Sequence, residues 1–320
     1  MRNILVTGAN GFIGKALCNK LIADGYQVRG AVRGAAQMAA LPAGVAGVII
    51  GYICPETDWS EALDGINVVI HLAARVHVMD DVVDDPLAEF RKVNTAGTLN
   101  LARQAVASGV KRFVFISSIK VNGERTETGE WRDIFTERDV PCPKDPYAVS
   151  KWEAEQGLLK IAEETGLELV IIRPPLVYGP GVKANFRLLM KWVQRGVPLP
   201  LGAVHNKRSF VALDNLVNFI IHCMNHPRAA NELFLISDGE DLSTTELLQK
   251  MARALGKRSL LLPVPVGLMT FVADLLGKKD VADRLFGSLQ VDSSKARELL
   301  GWTPVVGMDE QLRAHAKAQK

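Results

Sequence analysis

Thr7-Gly8-Ala9-Asn10-Gly11-Phe12-Ile13-Gly14 is the stretch whose reading decides the fold of this 320-residue chain. It follows an apolar run over residues 3–7 and opens a helical pattern over 12–23. Glycines at 8, 11 and 14 suit a tight turn, a close approach of backbone to phosphate, and close helix–strand packing. The helix N-terminus then offers N–H groups and a positive dipole to a pyrophosphate. A lone glycine triplet can also be a purely structural turn. Here a strand precedes it, a helix follows it, and a second strand comes at 27–32, which is the context that dinucleotide binding requires. Gly8, Asn10, Gly11, Phe12, Ile13 and Gly14 are therefore the expected phosphate-side residues.

Working outward, short β-branched runs alternate with longer helical patterns. Strands are expected over 3–7, 27–32, 45–50, 68–72, 112–117 and 167–173, and helices over 12–23, 87–107 and 147–164. The strands show little polar alternation, as expected when both faces are covered. The fold class is α/β, a doubly wound parallel sheet of the Rossmann type. Farther on, a helix is expected over 213–226 and a strand over 232–236 that returns to the main sheet. Helices over 247–255, 265–276 and 294–300 make a smaller, mostly helical C-terminal lobe. Ser243 and Glu246 have the spacing of a capping box at a helix start.

Composition excludes several classes. With 48% hydrophobic and 23% charged residues the chain can bury a sizeable core. A net charge of +3, dispersed along the sequence, gives no reason to expect nucleic acid as a partner. Cys18, Cys54, Cys142 and Cys223 lie far apart without ligand spacing, which fits a reducing, cytoplasmic setting and no metal. No signal peptide is read at the start. The longest apolar stretch, 260–276, contains Pro263, Pro265 and Asp274 and is short for a membrane span, so a core-facing helix and no membrane insertion are expected. The mildly basic, Ala-rich end is expected to be a fraying helix.

Candidate site residues collect at the carboxyl ends of the strands, where open α/β sheets bind ligands. The second strand ends in Val32-Arg33, where an NAD site usually carries Asp or Glu for the ribose hydroxyls. An arginine there suits a 2′-phosphate, which favours NADP(H), with NAD(H) the alternative and an ordinary solvated loop arginine the plain one. Tyr52 and Ile53 close the next strand, near an adenine. His71 is expected to be a packing or hydrogen-bonding residue, followed by Leu72, Ala73 and Ala74, small enough to let a cofactor pass. Arg75 and His77 lie in the following loop, whose Asp80, Asp81, Asp84 and Asp85 read as solvated carboxylates. Ser117 and Ser118 end the fifth strand, and Lys120 and Asn122 alternate with Ser118 on one face. Residues 124–144, polar with several prolines, are expected to cover the site.

Asp145-Pro146 then introduces Tyr147-Ala148-Val149-Ser150-Lys151. Asp caps helix starts and Pro favours the first helical position, so Tyr147 and Lys151 fall one turn apart on one face. A phenol near an ammonium and a helix N-terminus has its ionised form favoured, as an acid–base tyrosine needs. A surface tyrosine beside a solvated lysine is the plain alternative.

Together the glycine motif, the Ser-Ser strand end and the Tyr-x-x-x-Lys helix resemble the extended short-chain dehydrogenase/reductase superfamily, in its nucleotide-sugar epimerase/dehydratase branch. The likeness also covers His71–Ala74, Val93-Asn94, Arg173–Gly181 and Arg208–Val211, nearly the whole chain. It implies a dinucleotide-binding domain over 1–174, with 209–237 returning to it, and a nucleotide-sugar lobe over 175–320. It implies that Tyr147 moves the proton, that Lys151 lowers the Tyr147 pKa and holds the nicotinamide ribose, and that Ser118 orients the reacting oxygen. Asn94 is a supporting residue, and Pro174 lines the cofactor side. Asn185, Arg208 and Arg284 are expected on the substrate diphosphate and nucleoside. A cytoplasmic homodimer through the helices over 87–107 and 147–164 is the family's habit. Within the branch, Arg33 and the stretches around Arg75 and Ser118 are similar to O-antigen enzymes. They favour reduction of a UDP-4-keto-6-deoxy-N-acetylhexosamine to UDP-N-acetylquinovosamine. A UDP-glucose or UDP-N-acetylglucosamine 4-epimerase is the alternative. A non-catalytic NADP(H) sensor is a third reading, against which the retained Tyr–Lys pair speaks.

Overall fold

The computed structural model describes residues 2–76, 85–126, 134–182 and 184–317, and only the backbone at 184, 185 and 280. Its strands in chain order are β1 (Asn3–Thr7), β2 (Gln27–Val32), β3 (Ala46–Ile49), β4 (Val68–His71), β5 (Arg112–Ile116), β6 (Glu168–Arg173), β7 (Leu176–Tyr178), β8 (Arg208–Ala212), β9 (Glu232–Leu235) and β10 (Asp241–Leu242). Seven of them form one sheet in the order β3-β2-β1-β4-β5-β6-β9, with every pairing parallel. The chain reverses its direction of sheet growth between β1 and β4. Ligands of open α/β sheets bind in the crevice beyond such a switch point.

Alternation along each strand divides the core in two. Ile4, Val6, Val114 and Ile116 face the helices Phe12–Ala23 and Leu213–Asn225. Leu5, Val69, Phe113 and Phe115 face the opposite side, with Leu101 and Leu158 from Thr98–Ala107 and Pro146–Thr165. This double burial is why the strands read as near-continuous apolar runs.

The helix Pro146–Thr165 has the expected start. Asp145 caps it, accepting the Ala148 N–H at 2.6 Å, and Pro146 occupies the first turn. It stops at Gly166, whose φ of +74° is the left-handed conformation that glycine adopts at least cost. The helix expected over 87–107 is in three pieces: α over Pro86–Phe90, a π-helical turn over Arg91–Gly97, and α again over Thr98–Ala107. π-turns inside α-helices are frequent at functional sites.

The second lobe is built on a small sheet, β10-β8-β7, wrapped by Ala184–Gln194, Thr244–Ala254 and Met308–Lys317. Its core holds Tyr178, Met190, Phe210, Leu248 and Leu312. The capping box at Ser243 is formed: Glu246 N–H donates to Ser243 Oγ at 3.1 Å, and Ser243 N–H to Glu246 Oε2 at 2.7 Å. The helix Leu213–Asn225 and β9 carry the chain back to the large sheet.

Two expectations are corrected. Through Lys317, where the described residues end, the C-terminal helix is packed and not frayed: Met308, Gln311, Leu312, His315 and Ala316 are buried. The helix Val266–Leu275 is not a core helix, since no residue of it is buried. Only its Val266 and Met269 pack against the core, so one side of an all-round apolar helix is left outside. Among the described residues, no helix is long and apolar enough to cross a membrane.

Candidate active site

The glycine motif sits at the carboxyl end of β1, with Gly8 at φ +67°. A Cβ on Gly8 would come within 3.0 Å of Ala73 N and 3.2 Å of the Leu72 carbonyl carbon, so a side chain would crowd the backbone just after β4. A Cβ on Gly14 would lie 2.1 Å from Gly8 O. The helix begins at Gly11, which supplies no capping side chain. A bare helix N-terminus over a turn that admits no Cβ fits a dinucleotide's pyrophosphate. Phe12 packs against the cores of both lobes, so its side chain ties them together while its backbone opens the helix.

Behind the cradle lies His71. It is buried, bonded through Nδ1 to Thr7 Oγ1 at 2.7 Å and through Nε2 to Thr98 Oγ1 at 2.8 Å. Burial, then the charge of Lys151, push its pKa down to about 3, so the ring stays neutral. Thr7 Oγ1 also accepts the Ala73 N–H at 3.1 Å. His71 is thus the hydrogen-bonding residue expected, and it ties β1, β4 and the helix Thr98–Ala107 together.

Tyr147 and Ser118 meet beyond the end of β5. Ser118 lies beside the half-buried phenol, and Phe90 packs edge-on against its ring at 6.2 Å. Burial first, then the Asp145 carboxylate, push the phenol up to about 12, while the Ser118 hydroxyl pulls the other way. The Lys151 ammonium, expected to favour the ionised phenol, is directed elsewhere. Lys151 is buried, donates Nζ to the Ile116 carbonyl at 2.7 Å and lies 4.2 Å from the centre of the Phe115 ring. Desolvation pushes its pKa down to about 7, against the opposing pull of Glu155, so it carries only part of a charge near neutrality.

A buried network underlies both groups. Arg173 Nε donates to Glu155 Oε1 at 3.0 Å and Nη2 to Oε2 at 2.5 Å. Arg173 Nη1 reaches Asn122 Oδ1 at 2.8 Å, and Ser117 Oγ donates to Glu155 Oε1. Asn122 Nδ2 goes to Thr136 O at 2.8 Å. The side chains of Ser117 and Asn122 are therefore committed inward rather than to a ligand. Glu155 and Arg173 are the site-supporting residues that sequence reasoning missed. Their partners lie 38 and 51 positions away for Ser117–Glu155 and Arg173–Asn122, and no local pattern announces such a pairing.

Residues 4–237 match the NAD dependent epimerase/dehydratase family. The chain belongs to that family. It is an enzyme of the extended short-chain dehydrogenase/reductase type, with the Rossmann-type fold of its relatives. It is 48% identical to a UDP-glucose 4-epimerase of Vibrio cholerae over 99% of this chain and 95% of that one. It is 28% identical to the N-acetyl-alpha-D-glucosaminyl-diphospho-ditrans,octacis-undecaprenol 4-epimerase of Escherichia coli O157:H7, over 98% and 96% of the two chains. Among solved structures, the UDP-glucose 4-epimerase of Thermotoga maritima with UDP-glucose superposes with a TM-score of 0.77 at 26% identity, over 99% of this chain and 98% of the other.

The remaining candidates of this family member are spread along the same sheet edge. Asn94, in the π-turn, clamps the loop after β4: Oδ1 accepts Arg75 N–H at 2.8 Å, and Nδ2 donates to Arg75 O at 3.0 Å and to Ser150 Oγ at 3.0 Å. Gly97 ends that turn against Ile53, where a Cβ would come within 2.6 Å of Ile53 Cγ2. Arg33 is exposed and lies over the Tyr52 ring, 5.7 Å from its centre. Ala74 is half-buried, and Pro174 O accepts the Ile119 N–H at 3.1 Å. Lys120 pairs with Asp145, the cap of the Tyr147 helix, and with Glu124 at 3.4 Å, so its charge is spent within the protein.

In the second lobe, Arg208 donates Nη1 to Gly287 O at 2.9 Å, and burial pushes its pKa down to about 10. Arg284 is exposed on Lys279–Phe286. Asn185 lies in Ala184–Gln194, but its side chain falls outside the described residues, as does all of His77. Of the acidic loop, Asp85 is described; it caps Pro86–Phe90 by accepting the Ala88 N–H at 3.0 Å. The part of 124–144 expected to cover the site is described only at its flanks. There Thr126 N–H donates to Ser288 O at 3.0 Å and Phe135 N–H to Gln290 O at 2.9 Å. No cluster of metal-ligating side chains occurs among the described residues.

Proposed function

We propose that this enzyme interconverts the C4 epimers of a UDP-hexose by transient oxidation at C4. The observation that carries the reading is the Tyr147–Ser118 pair, on the same sheet edge as the glycine cradle, in a chain 48% identical over 99% of its length to a UDP-glucose 4-epimerase. When bound, a nicotinamide dinucleotide supplies the hydride acceptor and donor. Tyr147 would take the proton of the C4 hydroxyl in its phenolate form, which its raised pKa makes a strong base, and would return it once the C4–H bond has re-formed on the opposite face. Ser118 orients that oxygen and donates to it while it carries charge. Lys151, fixed on Ile116 O, holds the ribose side, and its partly neutral amine can exchange a proton near neutral pH.

Gly8, Gly11 and Gly14 would hold the pyrophosphate, with Tyr52, Ile53 and Asn94 shaping the adenine and nicotinamide sides. Family membership and a cofactor-recycling reaction favour NAD(H) over the NADP(H) that Arg33 suggests on its own. Laid over Tyr52, Arg33 forms a platform beside an adenine and can serve either dinucleotide. Arg208 and Arg284 are kept as the diphosphate-binding candidates. Free thiols and a nucleotide-sugar substrate suit a cytoplasmic enzyme. A homodimer would pair the face of Pro146–Thr165 on which Leu159 is 44% exposed.

Reduction of a UDP-4-keto-6-deoxy sugar is the second reading, and Val32-Arg33 where an acidic ribose clamp usually stands is the observation that favours it. One comparison separates the two. Purified enzyme with UDP-glucose or UDP-N-acetylglucosamine should form the C4 epimer with no net change in nicotinamide absorbance. Stoichiometric NADPH consumption by the 4-keto-6-deoxy sugar, with no epimerisation, would establish the reductase instead.

A further inference from the structure

We propose that the helix Val266–Leu275, with the segment just before it, docks this enzyme peripherally on an anionic lipid surface. The helix reads Val266-Gly267-Leu268-Met269-Thr270-Phe271-Val272-Ala273-Asp274-Leu275, and its polarity is inverted. Leu268, Phe271, Val272 and Leu275 are 56%, 61%, 44% and 72% exposed, and Leu276 follows at 68%. Spacings of three and four place these residues on one face. An ordinary surface helix turns such a face to the core. This one turns only Val266 and Met269 inward.

The patch is wider than the helix and is held in place. Leu260 and Leu262 are 48% and 53% exposed. Their backbone is paired with Leu199, through Leu199 N–H to Leu260 O at 2.9 Å and Leu262 N–H to Leu199 O at 2.8 Å. An ordered apolar surface of this extent on a water-soluble fold marks an interaction site.

Charge identifies the occupant. Lys257 and Arg258 precede the patch, and Lys278 and Lys279 follow it. All four are exposed, and none enters an ion pair among the described residues. The helix's one acid, Asp274, lies off the apolar face. An apolar centre with a basic rim is the composition of an interfacial helix on anionic lipid. A second copy is disfavoured, because antiparallel pairing of two such helices would bring the Lys257–Arg258 end of one against the Lys278–Lys279 end of the other. At ten residues the helix is half a membrane span, so it lies in the interface.

The test is flotation of the purified enzyme with phosphatidylcholine vesicles, with and without phosphatidylglycerol. The enzyme should float with the anionic vesicles alone and be released by high salt. K278Q/K279Q should weaken binding about thirtyfold, from about 1 kcal/mol per basic residue, and L268S/F271S/L275S should abolish it. Both variants should retain the wild-type far-UV circular dichroism and the wild-type rate on a soluble UDP-sugar. No flotation of the wild type, flotation of the triple variant like the wild type, or a fall in the sedimentation mass of the triple variant (which would reveal a second copy on this face) would each overturn the proposal.

Discussion

Lys151 donates its Nζ to the Ile116 carbonyl at 2.7 Å, while Tyr147, one turn earlier on the same helix, sits beside Ser118. The two residues are adjacent in the motif but answer to different partners. The pH dependence of the protein follows from that division. Burial lowers the Lys151 pKa from 10.5 to about 7. Between those values the unfolded amine holds a proton that the folded one lacks, so stability is fully present above 10.5 and is lost as pH falls toward 7. The melting temperature of wild type minus that of Lys151→Met should rise from pH 7 to pH 9; a flat difference would contradict the assignment.

Ser118→Ala removes the hydroxyl whose neighbourhood opposes the rise of the Tyr147 pKa. The phenol should then ionise still less readily, and turnover should fall by about one to two powers of ten. The rising limb of the kcat profile should move to higher pH. A fall in turnover with an unmoved profile would mean that Ser118 positions substrate without tuning the phenol.

The Glu155–Arg173 pair is buried at 1% and 3% side-chain exposure. Replacing one partner leaves a buried charge alone, which costs about 3–5 kcal/mol. Glu155→Gln and Arg173→Met should each show that loss in urea unfolding, and the double variant should recover much of it. Additive losses would show that the two side chains act independently.

Gly14→Ala places a methyl group 2.1 Å from Gly8 O, a distance that forces the turn to open. The purified variant should carry no dinucleotide and show no protection from heat when NAD is added. Wild-type protection by NAD would remove the phosphate cradle from the account.

Much of this was legible in the chain. Residues such as Ile4, Leu5 and Val6 are buried on both sides of the sheet, so their runs stand out without any need for register. Gly11 and the Asp145-Pro146 pair mark their helix starts locally, and both helices begin where those residues place them. The π-turn was not legible, because widening a helix over Arg91–Gly97 leaves the apolar spacing almost unchanged. The small sheet was missed because β7 and β10 are three and two residues long. The destination of Lys151, and the commitment of Ser117 and Asn122 to Glu155 and Arg173, depend on contacts made across the fold. The exposed face of Val266–Leu275 was misread for a related reason. Its apolar content states that it must be covered, and does not say by what.

The central claim is that hydride leaves C4 of the sugar and returns to the same carbon while Tyr147 carries the proton. The direct measurement is proton NMR of UDP-glucose labelled with deuterium at C4, incubated with enzyme and catalytic NAD. The account predicts UDP-galactose that keeps its C4 deuterium, formed about two to four powers of ten more slowly by Tyr147→Phe. Loss of the label to solvent, or an equal rate from the Tyr147→Phe variant, would contradict it.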